Sequence, residues 1–281
     1  MRSSLDISFV DAALVTPGQP WAAVEFHPAL GSTNDRAREV AAGPQGAWHV
    51  VVTDHQTGGR GRLGRTWQVP DRASVAVSAI VPIADTGVAG WVPLLAGLAL
   101  VQALRRITAR AGTPLQPALK WPNDVLIPED GDRKVSGVLC ELVPLGAGAG
   151  VIIGTGINVH QRRDELPVET ATSLDLCSAP VRREALVVEY LRELAGLLGP
   201  LSSGAPADRA AALERGRAAY LRACSTIGQQ VRVHLPRGEL VEGTAIGLDG
   251  SGALVVETAG GPRTFAAGDV VHVRPQHGGL A

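Results

Sequence analysis

Between Gln56 and Trp67 the chain reads Gln-Thr-Gly-Gly-Arg-Gly-Arg-Leu-Gly-Arg-Thr-Trp. Gly58, Gly59, Gly61 and Gly64 let backbone approach a bound group closely. Arg60, Arg62 and Arg65 add forked donors that match phosphate or carboxylate. Such a stretch suits an anion-binding loop in an active site. Two other readings compete, a solvated surface loop and an RGG-type nucleic-acid segment. The run is single, lies between two predicted strands and sits in a nearly neutral protein, which favours the first.

A second element is Lys120-Trp121-Pro122-Asn123-Asp124. Pro122 fixes φ and biases Trp121 to an extended conformation, so the segment is a rigid turn that presents Asn123 and Asp124. The following hairpin brings Lys134 to the same sheet end. Two ammoniums, a carboxylate and an arginine loop suit a polyphosphate with a divalent metal. The lysines neutralise phosphate charge, and Asp124 holds Mg²⁺ directly or through water. Lys120 and Lys134 are also the two lysines among 26 cationic residues, and an ammonium is not interchangeable with a guanidinium.

Weaker signals accompany these. Ser32-Thr33-Asn34 reads first as a helix N-cap, although a cap hydroxyl can also bond a ligand carbonyl or amide. Asn158 ends an apolar strand beside glycines. The Gly146–Gly156 run offers GxGxxG spacing, but a strand follows it, so it reads as a closely packed hairpin. No GxxxxGK[ST], HExxH or GxSxG pattern occurs, and the seven histidines are scattered. Neither a P-loop, a zinc site nor a hydrolase nucleophile is indicated.

The elements that must position these residues follow from periodicity. Predicted strands are 21–26, 50–54, 74–81, 118–121, 125–127, 134–142 and 150–159. Predicted helices run from Ser32 to about Ala42, through 86–104, and near 181–198 and 206–222. This order is α/β (α+β), a mixed sheet with flanking helices. After Ser225, short alternating strands joined by Gly-rich turns indicate a small β-barrel. The expected domains are therefore 1–224, with 1–20 as an N-terminal extension, and 225–281.

With 26 basic and 27 acidic residues the net charge is -1, which excludes a broadly basic nucleic-acid binder. Hydrophobic residues at 45% allow a real core, and 19% charged residues argue against disorder. Three cysteines fit neither a disulfide framework nor a CxxC site and read as reduced thiols. Residues 86–104 carry no charge over 19 positions, but Pro93, Gln102 and three glycines interrupt them. They read as a buried core helix. Asp6 and Asp11 make the N-terminus a poor signal peptide, so a cytoplasmic protein with no membrane partner is expected.

Taken in order, Gly31–Asn34, Gln56–Trp67, Lys120–Asp124, Arg133–Leu139 and Gly154–Val159 resemble the biotin protein ligases, over roughly residues 22–275. The resemblance implies a catalytic fold like that of class II aminoacyl-tRNA synthetases, with a C-terminal SH3-like barrel. It also implies the chemistry. ATP and biotin give biotinyl-5′-AMP, and biotin then passes to a lysine of the biotin carboxyl carrier domain of an acyl-CoA carboxylase, with Mg²⁺ present. Carried over by position, Ser32, Thr33, Asn34, Gln56, Gly59, Arg60, Gly61, Arg62, Lys134 and Gly137 would bind biotin. Arg62, Arg65, Trp67, Lys120, Asn123, Asp124, Lys134 and Asn158 would bind ATP or the adenylate. Lys134, Arg62 and Lys120 are the expected catalytic residues, and Asp124 the metal residue. Val135-Ser136-Gly137 replaces a commoner Leu-Ala-Gly. About 20 residues precede the first strand, so no DNA-binding domain and no repressor role are expected, and a monomer or weak homodimer is. A lipoate–protein ligase-like acyl-adenylate transferase and a non-enzymatic nucleic-acid-binding protein are the rival functions.

Overall fold

The computed structural model describes residues 2–235, 239–266 and 268–272. Seven strands form one mixed sheet: β1 (Ala23–His27), β2 (His49–Thr53), β3 (Ser74–Ile83), β4 (Ala118–Lys120), β5 (Asp124–Ile127), β6 (Arg133–Leu145) and β7 (Gly148–Asn158). Their spatial order is β1-β2-β3-β7-β6-β5-β4. β1 and β2 are parallel, which demands a crossover, and α2 (Thr33–Ala41) lies in it. The remaining neighbours pair antiparallel.

Strand alternation sorts the side chains between two faces. On one face Val75, Val77, Ala79, Val81, Val151, Ile153 and Ile157 join a core with α3 (Val92–Arg110) and α4 (Arg183–Ser202). On the other, Val51, Ile80, Val143 and Ile152 pack against Ala37 and Ala41 of α2. α5 (Pro206–Ala223) rests on α3 and α4.

The segment Thr86–Arg110 is long and apolar enough to cross a membrane. Here it is a core element, with Leu94 through Val101 all buried. The helix proper starts later than the hydropathy suggested. Thr86–Trp91 forms a 3-10 turn whose cap, Asp85, accepts from Gly87 N at 2.8 Å, and Pro93 then sits in the first α-turn, where its missing N–H costs nothing.

The N-terminal extension contains α1 (Ile7–Leu14), capped by Asp6 and packed on α4. Ahead of it, Ser4 Oγ and Leu5 N donate to Asp54, whose carboxylate also pairs with Arg183 at 2.9 Å. Both charges of that pair are buried, so the hydrogen bonds around them offset the desolvation.

The C-terminal strands β8 (Gln230–His234), β9 (Leu240–Leu248), β10 (Leu254–Thr258), β11 (Gly261–Phe265) and β12 (Asp269–His272) form an antiparallel sheet in the order β11-β10-β9-β8-β12. No ladder joins β11 to β12 among the described residues, and residues 273–281 of the expected 225–281 domain lie outside them. This sheet grips the larger, seven-stranded part through indole donors. Trp121 Nε1 donates to Gly252 O at 3.1 Å and Trp91 Nε1 to Gly250 O at 2.9 Å, while Trp121 N donates to Thr226 Oγ1 at 3.0 Å.

Candidate active site

A cavity of about 990 Å³ opens on the α2 face of the sheet. Sheet register explains its place. Ala76 of β3 stands opposite Gly156 of β7, which stands opposite Gly137 of β6; in the next row on that face are Ser78, Gly154 and Leu139. One row further along, Ile80 and Ile152 fill the space beneath α2. Where side chains shrink to hydrogen, methyl and hydroxymethyl, the layer stays open. The Gly146–Gly156 run thus has two explanations. Gly146, at φ +57, makes the β6–β7 turn expected of it, whereas Gly154 and Gly156 form the cavity floor. A Cβ on Gly154 would strike the Asn34 amide, and one on Gly156 the Trp67 indole.

The glycine–arginine stretch forms a small hairpin. Gly61 N donates to Arg65 O at 2.7 Å and Trp67 N to Gly59 O at 2.9 Å, around a turn with Leu63 and Gly64 in the left-handed region. Its base is stitched to the segment before α2 by Gly58 N donating to Gly31 O at 2.7 Å. Arg60, Gly61, Arg62, Arg65 and Trp67 line the cavity. Gly59 does not. It is buried behind the hairpin, where a side chain would collide with Trp67 O and the Gln56 amide.

At one end, Ser32 caps α2 by accepting from Asp35 N at 3.4 Å. Thr33 N and Oγ1 donate to Gln56 Oε1 at 2.9 and 3.1 Å. Ser78 Oγ lies 2.7 Å from Thr33 Oγ1 and donates to Asn34 Oδ1 at 2.6 Å. Asn34 Nδ2 donates to Glu141 Oε1 at 2.8 Å and to Leu139 O. Asn34 therefore fastens α2 to β6, and its amide is largely engaged by protein groups. Arg60, which lines the cavity, pairs with Asp35 of α2.

The middle is cationic. Lys134 Nζ is 2.6 Å from Asp124 Oδ1 and 5.7 Å from the centre of the Trp67 ring. Arg62 reaches Asn123 Oδ1 at 3.5 Å, and Asn123 Nδ2 donates to Val138 O at 2.9 Å. Burial lowers the Lys120 pKa; Asp124 opposes this, and the charges of Lys134 and Arg65 add to it. Burial likewise lowers that of Arg62, with Asp124 again opposing. These cations are held close together in a partly dry place, which is unfavourable until a polyanion arrives.

At the far end Asn158 Nδ2 donates to Thr172 O at 2.9 Å, and the wall is finished by Gln161 and by residues of the 165–171 segment. Glu165, on this wall, is drawn off by Arg2 at 2.5 Å, whose hydrogen bond lowers the carboxyl's pKa. Sequence reasoning missed Ser78, Gly154, Gln161 and this wall. An alternating Ala76 and Ser78 inside a valine-rich strand was the available hint.

Among the described residues no group of three or more His, Cys, Asp or Glu is placed to hold a metal ion. Asp124 can offer one carboxylate, which fits Mg²⁺ carried mainly on phosphates rather than caged by protein.

The sequence matches the Biotin/lipoate A/B protein ligase family over residues 30–158 and the biotin protein ligase C-terminal domain over 226–273. It is 35% identical over 277 residues to the biotin–[acetyl-CoA-carboxylase] ligase of Mycobacterium tuberculosis, covering 98% of both chains. It is 30% identical to the like-named enzyme of Paracoccus denitrificans, covering 85% of this chain and 96% of that one. The fold matches that of the Aquifex aeolicus biotin protein ligase in complex with biotin and ATP, with a TM-score of 0.71 and 26% identity, over 90% of this chain and all of the other. The chain belongs to the biotin protein ligase family.

Proposed function

We propose that the one continuous cavity seats biotin and ATP end to end and carries both half-reactions of a biotin protein ligase. The supporting observation is its polarity sequence: a neutral hydrogen-bonding end, a cationic middle beside the Trp67 indole, and a far end of Asn158 with the apolar Leu166, Pro167, Val168 and Ala171. Biotin's ureido ring lies by Ser32, Thr33 and Gln56, with Arg60 closing over it. Its carboxylate meets Arg62 and Lys134, and the nucleotide lies toward Trp67 and Asn158.

In the first step a carboxylate oxygen attacks the α-phosphorus and pyrophosphate leaves. In the second, a neutral lysine amine of the carrier attacks the acyl carbonyl, AMP departs with the bonding pair, and the nitrogen gives up one proton to water as the amide forms. Negative charge builds on phosphoryl and carbonyl oxygens in both steps. Fixed cations are therefore the main catalytic device, together with positioning. Arg62 and Lys134 sit where those oxygens meet, and Lys120 and Arg65 serve the remaining phosphates. Mg²⁺ riding on the phosphates would supply further charge neutralisation, with Asp124 and Asn123 as its protein-side oxygens.

The acceptor is a biotin carboxyl carrier domain of an acyl-CoA carboxylase, the action is cytoplasmic, and the chain binds no DNA as a monomer or weak homodimer. The test is incubation with biotin, MgATP and a carrier domain, read by mass spectrometry for biotinyl-AMP and for the modified carrier lysine. Lipoate transfer without biotin transfer would overturn the reading.

A further inference from the structure

Among the described residues, two carboxylates line the cavity, Asp124 and Glu165. An unpaired carboxylate opposes any polyanion that enters the same space. Asp124 is answered from within the cavity by Lys134. Glu165 is answered from outside it. Arg2 Nη2 lies 2.5 Å from Glu165 Oε2, and Arg2 does not line the cavity. The other partners of Glu165 belong to its own turn: Arg162 N donates to Oε2 at 2.9 Å, and the exposed Arg162 guanidinium stands 3.4 Å from Oε1. The bond from Arg2 holds the carboxyl below the usual carboxylate range, so Glu165 is ionised at neutral pH.

Arg2 is delivered by a buried anchor. Arg183 and Asp54 pair at 2.9 Å with their side chains 4% and 1% exposed. Arg183 Nη2 donates to Ser3 O at 2.6 Å and Nη1 to Ser74 O at 3.1 Å, while Ser4 Oγ and Leu5 N donate to Asp54. Leaving either buried charge unmet is costly, so the pair keeps residues 3–5 in place. From there the Arg2 side chain crosses to the turn before the cavity wall, where its Nη2 also donates to His160 O at 2.7 Å.

The wall it reaches is tied to the cationic middle. Lys134 N donates to Thr170 O at 2.8 Å and Thr172 N to Lys134 O at 2.9 Å. Arg163 Nη1 closes the segment on itself by donating to Ala171 O at 3.0 Å. Glu165 is therefore carried on a stretch whose far end is bonded to the backbone of Lys134. A charge left unpaired on it would act against the cluster that Lys134 belongs to.

Resting on the placement of ATP proposed above, we propose that Arg2 is a positioning residue for nucleotide binding: held by the Asp54–Arg183 anchor, it neutralises Glu165 so that the cavity wall does not repel the triphosphate. The role requires no contact between Arg2 and the ligand.

The experiment titrates MgATP into the full chain by calorimetry and measures KM and kcat of biotin-dependent pyrophosphate exchange. Arg2→Ala should weaken ATP binding and raise its KM by about three- to tenfold, with kcat and biotin affinity within about twofold of wild type. The loss should shrink as salt rises from about 50 to about 500 mM, because the exposed charge is then screened. Glu165→Gln removes that charge with little change of shape. It should bind ATP at least as well as wild type, and Arg2→Ala/Glu165→Gln should return to within about twofold of wild type. Arg2→Gln, polar but uncharged, is the second variant should Arg2→Ala fold poorly, and it should show the same loss. Unchanged ATP affinity once Arg2 is uncharged, or a double variant no better than Arg2→Ala, would overturn the proposal; the second result would reduce the arm to a prop for the wall. Loss of ATP affinity in Glu165→Gln alone would overturn it as well, by showing that the ligand uses the carboxylate. Absence of any biotin-dependent exchange in wild type would overturn the function reading beneath it, while the ATP titrations still report on Arg2.

Discussion

The two ends of the ligand cavity's first half are built on opposite principles. Around Ser32, Thr33, Asn34, Gln56 and Ser78 the polar groups are neutral and already bonded to one another. Around Lys134, Lys120 and Arg62 they are charged, of one sign, and moderated by Asp124. A network satisfied in advance is rigid, discriminates by shape and direction, and gains little from ligand beyond exchanging partners. A cluster of like charges is the reverse. It is unfavourable when empty and gains most when a polyanion enters, above all as charge develops in the transition state. The neutral end should therefore govern which acid is accepted, and the cationic middle how fast it reacts.

Substitutions that sharpen this contrast fall in order of size. Lys134→Ala should cut adenylate formation by about 10²–10³-fold with biotin affinity changed far less, measured by pyrophosphate exchange and by ligand titration. Near-normal exchange would remove Lys134 from its role. Arg62→Ala removes a charge-assisted contact worth roughly 1.5–3 kcal/mol and should speed biotinyl-AMP release accordingly, followed by trapping the released intermediate. Gly154→Val pushes a side chain into the Asn34 amide, and overpacking of about 1–3 kcal/mol should appear chiefly as weaker biotin binding. Unchanged affinity there would show that the floor is not needed small. Ser78→Ala is the mildest, at about 1 kcal/mol, in biotin affinity with adenylation rate from saturated enzyme preserved.

Acidity tests the same contrast. The Lys120 ammonium titrates below the usual lysine range because burial disfavours its charge. Phosphate binds the protonated form, so ATP affinity should be full at low and neutral pH. It should decline as pH rises through the free protein's lowered Lys120 value, binding then requiring proton uptake. Lys120→Arg should abolish that decline. Isothermal titration in buffers of different ionisation enthalpy reads the uptake directly, and an identical alkaline profile in the variant would assign the decline to another group.

Legibility in the sequence followed the same division. The charged residues were readable because their chemistry is unusual and their spacing compact: Gln56–Trp67 and Lys120–Asp124 advertise themselves. Most strands and helices were readable because alternation and apolar runs were strong, and β3 and α4 fall close to their expected ranges. What stayed hidden depends on register. Nothing local tells that Ala76, Gly156 and Gly137 share a row, or that the Asn158 amide ends fixed by the Thr172 carbonyl, because those relations join strands and loops distant in the chain. Arg60 and Asn34 show the other limit. Their positions were identified, but the bonding of Arg60 to Asp35 depends on how the hairpin meets α2, and that of Asn34 to Glu141 on how α2 meets β6.

The indole of Trp121 links chemistry to architecture. It stands between Lys120 and the Asn123-Asp124 pair, yet its ring nitrogen is anchored in the C-terminal sheet at Gly252 and its backbone N–H at Thr226. The small domain is thus the outer jaw of a vice on the Lys120–Asp124 turn, not a detachable accessory. Exchanging it between relatives should alter nucleotide handling before it alters anything at the biotin end, and a chimera would inherit its ATP response from whichever parent donates the loop around Gly252.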